Sequence, residues 1–224
     1  MASSRPPKRS LRRAGRPGGD EGDLRQRLLD AALAQFARMG IAATSLRVIA
    51  AEAGVTPALL HYYFGDKARL QQALIDERLL PALAPLRTQL EHAGDDPATL
   101  AEGFVRGIGE LVAQHPWLPP LWVREVLCEG GALREVVFTQ AVPGVPQLLA
   151  QRFAAAQADG RLNAALDPRL LVVSLVGLTL FPAAGAPIWR RAFGAGELEP
   201  DVMLNHTLVL LWHGVGTAKP RGTT

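Results

Sequence analysis

The sequence has little cysteine, few aromatic residues and no apolar run long enough to cross a membrane. Its one cysteine, Cys128, cannot form a disulfide within the chain and argues against a cysteine-based metal site. A free thiol suits a reducing compartment, so we expect a cytoplasmic protein. The most apolar run, Leu170 to Ala184, is shorter than the roughly 20 residues of a transmembrane helix. We therefore expect a buried helix there and no membrane partner.

The sequence also lacks the residue patterns of common catalytic sites. Its five histidines are scattered without metal-ligand spacing, no glycine-rich phosphate loop is present, and Cys128 has no recognisable base near it in the sequence. We expect no catalytic residues, no metal and no other cofactor, and we predict that the protein is not an enzyme. The histidines are His61, His92, His115, His206 and His213.

Positive charge is concentrated at the N-terminal end. Six of the 24 basic residues precede the first acidic residue, Asp20, and the remaining 18 face 21 acidic residues. Residues 1–22 hold this charge among Pro, Gly and Ser with almost no large apolar side chains, which predicts a disordered basic arm. No apolar stretch follows the first cations, so the arm is not a signal peptide. It either adds sequence-independent affinity for DNA or is a solvated tail without a role.

The rest of the chain has helical periodicity, with no alternating strand pattern and no internal repeat. A capping box of Asp23 and Gln26 predicts a first helix from about Leu24. Asp66 should cap a fourth helix that starts at Lys67, and Pro81 and Pro85 should kink or end it. The further predicted helices lie near 97–114, 117–129, 131–158 (bent or split by Pro143 and Pro146), 167–182 and 200–213.

The segment LRVIAAEAGVTPALLHYYFG, residues 46–65, has the features of a helix-turn-helix. Ala50 is small enough for two helices to cross closely, and Gly54 allows the positive φ of a tight turn. Leu60 can face back into the angle between the helices. Thr56–Pro57 is a strong helix start, a hydroxyl cap followed by a residue that needs no N–H. The segment therefore predicts a second helix that enters the major groove of DNA.

An ordinary helical hairpin is the alternative interpretation, but the second helix exposes His61, Tyr62 and Tyr63, which a buried hairpin rarely does. The run GIAATSLRVIAAEAGVTPALLHYYFGDKARL, residues 40–70, closely resembles the DNA-binding domain of TetR-family transcriptional regulators. The resemblance covers roughly residues 24–80. It implies a homodimer that binds a palindromic operator in double-stranded DNA, usually as a repressor, and that a small molecule releases.

The resemblance and the helical pattern together give the expected organisation. We predict an all-α fold with an N-terminal three-helix DNA-binding domain and a larger helical domain for effector binding and dimerisation. The predicted segments are a disordered arm over 1–22, the helix-turn-helix domain over 23–80 with its motif at 46–65, the effector and dimerisation domain over 81–216, and a flexible tail over 217–224.

The same resemblance implies DNA contacts at matching positions. Thr44 and Lys67 match phosphate-binding positions at helix N-termini. The first turn of the second helix of the motif, Pro57 to Leu59, would face base edges, where its apolar residues can contact only thymine methyls. His61 stands where the family often has Tyr and can introduce pH dependence. His61 and Arg47 can instead be solvated, and Tyr63 can pack against the first helix. The full predicted set is Thr44, Ser45, Arg47, Thr56, Pro57, Ala58, Leu59, His61, Tyr62, Tyr63 and Lys67.

Polar and aromatic residues amid apolar neighbours mark a candidate effector pocket in the second domain. Such a pocket would be mostly apolar and would favour a hydrophobic or aromatic effector. Alternatively, Arg124 and Glu125 form a salt-bridged edge, and Ser174 bonds to a carbonyl of its own helix. The predicted pocket residues are Trp117, Trp122, Arg124, Glu125, Cys128, Phe138 and Ser174.

The helices near 167–182 and 200–213 are the predicted dimer interface, because two helices from each subunit would form a four-helix bundle. The candidates are the run from Leu170 to Phe181 and a later stripe. Both could instead be intramolecular core. A rival to the whole interpretation is a nonspecific basic protein held to DNA or membrane by residues 5–16. The stripe consists of Met203, Thr207, Leu208, Leu211 and Val215.

Overall fold

The computed structural model describes residues 20–215, which form helices joined by short turns, with no strand in that range. The predicted tail lies outside the described residues, as does the predicted arm except for residues 20–22. The helices are α1 Asp20–Met39, α2 Leu46–Glu52, α3 Pro57–Phe64, α4 Lys67–Leu74, α5 Leu80–His92, α6 Pro97–Gln114, α7 Leu118–Trp122, α8 Arg134–Val136, α9 Val145–Ala158, α10 Pro168–Ala184, α11 Ala186–Phe193 and α12 Pro200–Val215. Three π-helical turns span Ile75–Leu79, Val123–Leu127 and Val137–Ala141.

The N-terminal unit, α1 to α4, has a closed apolar core. Leu28, Phe36, Ile49, Leu60 and Leu70 are each fully buried in it. Helix α1 packs on both α2 and α4, as its apolar stripe requires. The helix begins at Asp20 rather than near Leu24, so the predicted capping box is not its start, and residues 20–22 belong to the helix rather than to the arm.

Side-chain caps fix the starts of the next three helices. Ser45 Oγ accepts from the N–H of Val48 at 3.3 Å, and Asp66 Oδ1 accepts from the N–H of Arg69 at 2.8 Å. Thr56 caps α3 in the same way, followed by proline at the first helical position. Each cap satisfies a backbone donor that the helix leaves unpaired. The local signals in the sequence therefore determine these boundaries.

The chain does not end its fourth helical segment at the prolines. It passes from α4 through the π-turn Ile75–Leu79 into α5 and stays helical to His92. Pro81 follows the π-turn directly, and the wider backbone of that turn accommodates a residue without an N–H. Pro85 lies inside α5 on its exposed side, while the other side of the helix is anchored in the core by Leu83, Leu86 and Leu90.

The two helices predicted over 117–129 and 131–158 are broken more often than expected. The first is α7 followed by a π-turn that ends at Leu127, and the second is α8, a π-turn and α9. The predicted split near the two prolines is confirmed, since Gly144 has φ +72° and α9 starts directly after it. Short proline-rich and glycine-rich stretches favour such breaks over one continuous helix.

Helices α10 and α12 close the second half of the molecule. α10 packs on α6, α7 and α9, and α12 packs on α6. Within the described residues, no single helix is long and apolar enough to cross a membrane. By length and composition alone one pair would qualify, α10 with α11, and it is bent by 70°. Helix α11 has no counterpart among the predicted helices.

The stripe of α12 predicted to dimerise faces α6 instead. Thr207, Leu208 and Leu211 are buried inside the subunit, which supports the intramolecular alternative for those residues. The opposite side of α12 is also apolar, and it is this side that is exposed. Its exposed side chains are Val202, Val209, Leu210 and Trp212. Because both sides of α12 are apolar, periodicity alone could not choose between them.

Candidate nucleic-acid interface

The turn between α2 and α3 has the geometry that the sequence indicated. Gly54 has φ +68°, a conformation that β-branched side chains strongly disfavour. The N–H of Val55 donates to the carbonyl of Ala50 at 2.9 Å and closes the turn. Ala50 and Leu60 are fully buried where the two helices meet. The crossing angle of the pair is therefore fixed by packing and by the turn together.

Helix α3 presents an open outer face. Leu60 and Phe64 anchor the helix in the core, whereas Pro57 and Ala58 are exposed on its first turn. Tyr62 is 78% exposed and contacts the Tyr63 ring edge-to-face, with 5.4 Å between the ring centroids. Leu59 and Tyr63 are half-buried. A short helix with a buried anchor and a bare outer face is the arrangement that reads base edges.

His61 is exposed, and one of its ring nitrogens is already engaged. The Nδ1–H donates to the carbonyl of Gly65, which ends α3. This bond satisfies one of the carbonyls that a helix C-terminus leaves open. Nε2 is then the ring nitrogen that remains for a phosphate or a base.

Thr44 does not face outward. Its side chain is buried, and its hydroxyl donates to the carbonyl of Gly40 at 2.7 Å. The residue therefore stabilises the turn between α1 and α2 rather than offering its hydroxyl to a phosphate. Ser45, which caps α2, is exposed, and Arg47 is exposed two residues further on.

Lys67 sits at the N-terminus of α4, as the sequence indicated. Its Nζ donates to the carbonyl of Ala42 at 3.0 Å, which links α4 to the turn before α2. An ammonium group has three N–H donors, so two remain for a phosphate oxygen. The positive end of the α4 dipole adds to the attraction at the same place.

Two ion pairs that the sequence analysis missed hold α1 against the π-turn Ile75–Leu79. Arg25 donates two hydrogen bonds to the Glu77 carboxylate, at 2.5 and 2.6 Å, and Arg78 donates to Asp30 at 2.8 and 2.9 Å. The Arg25 bond lowers the pKa of Glu77 from its ordinary value of 4.5, although burial opposes the shift. The partners are about 50 residues apart in the chain, so no local pattern could have indicated them.

An apolar cavity lies in the second half of the molecule. It encloses only about 10 Å³, the room of a single water molecule. Trp122 is the one predicted pocket residue that lines it, and its indole Nε1 is buried without a hydrogen-bond partner. The lining residues are Leu79, Leu83, Leu118, Leu121, Trp122, Val126, Leu133 and Val137.

The other predicted pocket residues lie elsewhere. Trp117 is half-buried and contacts the ring of His115, with 5.4 Å between centroids. Glu125 is buried, but it bonds to backbone N–H groups rather than to Arg124. Sequence spacing could not show these directions, because the chain breaks its helical register twice in this stretch. The remaining residues, Arg124, Cys128, Phe138 and Ser174, are exposed.

The buried crossing of α2 and α3 and the exposed outer face of α3 define a helix-turn-helix protein. Residues 28–74 match the sequence profile of the family described as "Bacterial regulatory proteins, tetR family". The HTH-type transcriptional repressor Rv3405c of Mycobacterium tuberculosis (strain H37Rv) is 30% identical over 174 residues, 78% of this chain and 79% of that protein. The HTH-type transcriptional regulator RutR of Escherichia coli (strain K12) is 29% identical over 181 residues, 81% of this chain and 83% of that protein.

Solved structures have the same fold. The ketosteroid transcriptional regulator KstR2 of Mycobacterium tuberculosis superposes with a TM-score of 0.69 at 20% identity, over 87% of this chain and 95% of that one. NalD is the secondary repressor of the MexAB-OprM multidrug efflux pump in Pseudomonas aeruginosa. It superposes with a TM-score of 0.59 at 25% identity, over 88% of this chain and 98% of that one. The chain belongs to the TetR family of bacterial transcriptional regulators. These relatives are regulators rather than enzymes, in agreement with the sequence analysis.

Proposed function

We propose that the protein is a repressor that binds a palindromic operator as a homodimer in the cytoplasm and is released by a small apolar effector. The observation that carries the proposal is the outer face of α3, bare on a helix whose inner face is locked into the core. The relative Rv3405c is a transcriptional repressor, which supports repression as the direction of regulation.

The first turn of α3 would supply the base contacts. Pro57, Ala58 and Leu59 offer only apolar surface, which suits thymine methyl groups. Tyr62 and Tyr63 would reach bases or backbone with their hydroxyls, and His61 with Nε2. Phosphate contacts would come from residues at or near helix starts, namely Ser45, Arg47, Thr56 and Lys67.

The exposed apolar sides of α10 and α12 would form the dimer interface. Phe181 is 72% exposed, Val173 64% and Leu170 62%, and all three lie on one side of α10. Gly177 lies on the same side with open space around it, which permits close approach of a partner helix. Side chains this large and this apolar rarely stay in water as a contiguous patch. Two helices from each subunit would cover the patch in a four-helix arrangement.

The apolar cavity would hold the effector. Its walls are leucine and valine side chains, and the unpartnered indole N–H of Trp122 supplies one donor. A buried donor without a partner is costly, and a ligand acceptor would relieve that cost. The effector is therefore an apolar molecule with a hydrogen-bond acceptor, for example a carbonyl or carboxylate oxygen. Because the cavity has room for only about one water molecule, the ligand must force its walls apart.

The proposal is tested by selecting fragments of the source genome with the purified full-length protein at physiological salt and sequencing what is retained. We expect enrichment of one palindrome, with its half-sites one helical turn or a multiple of it apart. Retention of fragments without a shared motif would contradict sequence-specific reading and favour binding by the basic arm.

A further inference from the structure

Glu125 links the helical region around the cavity to the DNA-binding unit. Its side chain is only 5% exposed, and each carboxylate oxygen accepts a backbone N–H. Oε1 accepts from Ile41 at 2.7 Å and Oε2 from Ala132 at 3.0 Å. Ile41 lies in the turn between α1 and α2, whereas Ala132 lies in the turn before α8. One buried carboxylate therefore joins the two regions.

The turn that contains Ile41 is built around this carboxylate. Gly40 has φ +85°, and a Cβ at that position would lie 3.1 Å from Glu125 Oε1. The same turn accepts hydrogen bonds from the hydroxyl of Thr44, just ahead of α2, and from Nζ of Lys67 at the start of α4. A displacement of Ile41 would consequently shift the N-termini of two helices that we expect to contact DNA.

The other end of the link adjoins the cavity walls. Glu125 and the wall residue Val126 are neighbours in the π-turn Val123–Leu127. The N–H of Leu133, another wall residue, donates to the carbonyl of Glu125 at 3.0 Å. With about 10 Å³ free, the cavity cannot accept a molecule larger than water unless its walls move. Movement of either wall residue pulls directly on Glu125.

The cavity walls include irregular helical turns that can change shape. Each of the three π-turns contributes a side chain to the cavity, namely Leu79, Val126 and Val137. π-helical turns are rare and occur frequently at functional sites. Each holds one residue more than an α-helical turn and can absorb a shift by changing its hydrogen-bond register. Three of them around one cavity make it deformable, and Glu125, which lies in one of them, is hydrogen-bonded to a backbone N–H at each end of the link.

We propose that Glu125 is the positioning residue through which filling of the apolar cavity displaces the turn between α1 and α2 and weakens DNA binding. This inference rests on the proposed function, because it presumes an operator and an effector. It adds a specific path: cavity wall, Glu125 carboxylate, Ile41 N–H, and then the starts of α2 and α4.

The path is tested without knowing the effector, by a double-mutant cycle. Val126→Phe overfills the cavity and stands in for a ligand. In the otherwise native chain it should weaken binding to the selected palindrome by about tenfold, within the usual range of allosteric coupling. In a Glu125→Ala chain the same filler should change affinity by less than about twofold. Glu129→Ala, an exposed carboxylate four residues on, is the matched control and should leave the effect of the filler intact.

The inference would be overturned if Val126→Phe weakened operator binding equally in the native and Glu125→Ala chains. It would also be overturned if Val126→Phe folded but did not change operator affinity in the native chain. Val137→Phe fills the cavity from another wall and replaces Val126→Phe if that variant does not fold. A measurement without fillers is amide hydrogen exchange at Ile41. Glu125→Ala should speed it by about tenfold or more, as expected for loss of a buried hydrogen bond, whereas unchanged exchange would refute the link. If the native chain selects no palindrome, the proposed function itself fails, and that outcome is distinct from both results.

Discussion

The DNA-binding unit and the cavity region are stabilised in opposite ways. In α2, α3 and α4 each start is capped by a side chain, and the helices have regular α-helical hydrogen bonds. Around the cavity, α7 and α8 have no side-chain cap, and all three π-turns, including the one directly after α4, contribute a side chain to its wall. The first unit can hold one geometry, which reading bases demands. The second can deform, which the proposed admission of a ligand into so small a cavity demands.

The largest expected effect comes from disrupting the turn between α2 and α3 in the DNA-binding unit. Gly54→Val places a β-branched residue at φ +68° and should abolish operator binding, while dimerisation through the second domain persists. Fluorescence anisotropy measures the loss of operator binding, and light scattering measures the mass of the dimer that should persist. Gly94→Val is the control, because Gly94 is exposed with open space around it and lacks a positive φ. Full operator affinity in Gly54→Val would refute the placement of the turn.

Charge on the proposed dimer interface should come next. Val173→Glu puts a carboxylate on the exposed side of α10, where dimerisation would bury it unpaired at a cost of several kcal/mol. We expect a monomer by analytical ultracentrifugation and much weaker operator binding. Leu127→Glu changes an exposed apolar residue outside α10 and α12 and should leave the dimer intact. If the Val173→Glu variant remained a dimer, the exposed side of α10 would not be the dimer interface.

A moderate effect is expected at the edge of the DNA-binding unit. Lys67→Ala should weaken binding similarly on all DNA sequences and reduce the slope of log affinity against log salt by about 1, the value for one phosphate contact. Binding titrations over a range of salt concentrations measure this slope. Arg106→Ala, an exposed residue of α6 paired with Glu102, should leave it unchanged. A normal slope in Lys67→Ala would exclude a phosphate contact.

The smallest expected effect concerns the Arg25–Glu77 ion pair, which joins α1 to the π-turn Ile75–Leu79. Hydrogen bonding to Arg25 lowers the pKa of Glu77, so the folded state gains stability above the ordinary value of 4.5 and loses it as pH falls through the lowered folded value. Glu77→Gln should cost about 1 kcal/mol or less at pH 7, because both partners are partly exposed.

The difference between the native chain and Glu77→Gln should shrink as pH falls below about 4.5. Urea unfolding between pH 7 and pH 3.5 measures it. Glu102→Gln, which disturbs a surface pair within one helix, is the control for loss of a carboxylate. A pH-independent difference in the Glu77→Gln variant would contradict the proposed contribution of the ion pair.

The rigid unit could be predicted from the sequence because its determinants are local. A cap residue, Thr56, lies next to the helix that it starts, and Gly54 lies four residues after Ala50 in the turn that it permits. The cavity could not be predicted, because its lining comes from separate segments whose register changes at π-turns. Glu125 illustrates the limit: its partner Ile41 is 84 residues away, and no local pattern distinguishes a buried carboxylate from one in a surface salt bridge.

The most direct test of DNA reading by the folded domain uses a full-length variant whose six cations within residues 5–16 are replaced by Ala. Its affinity is measured at physiological salt for the selected palindrome and for a scrambled duplex of the same length. If α3 reads the operator, the variant should still prefer the palindrome by about 10³-fold or more. Equal affinity for the two duplexes would show that the basic arm, and not the helix-turn-helix, accounts for binding.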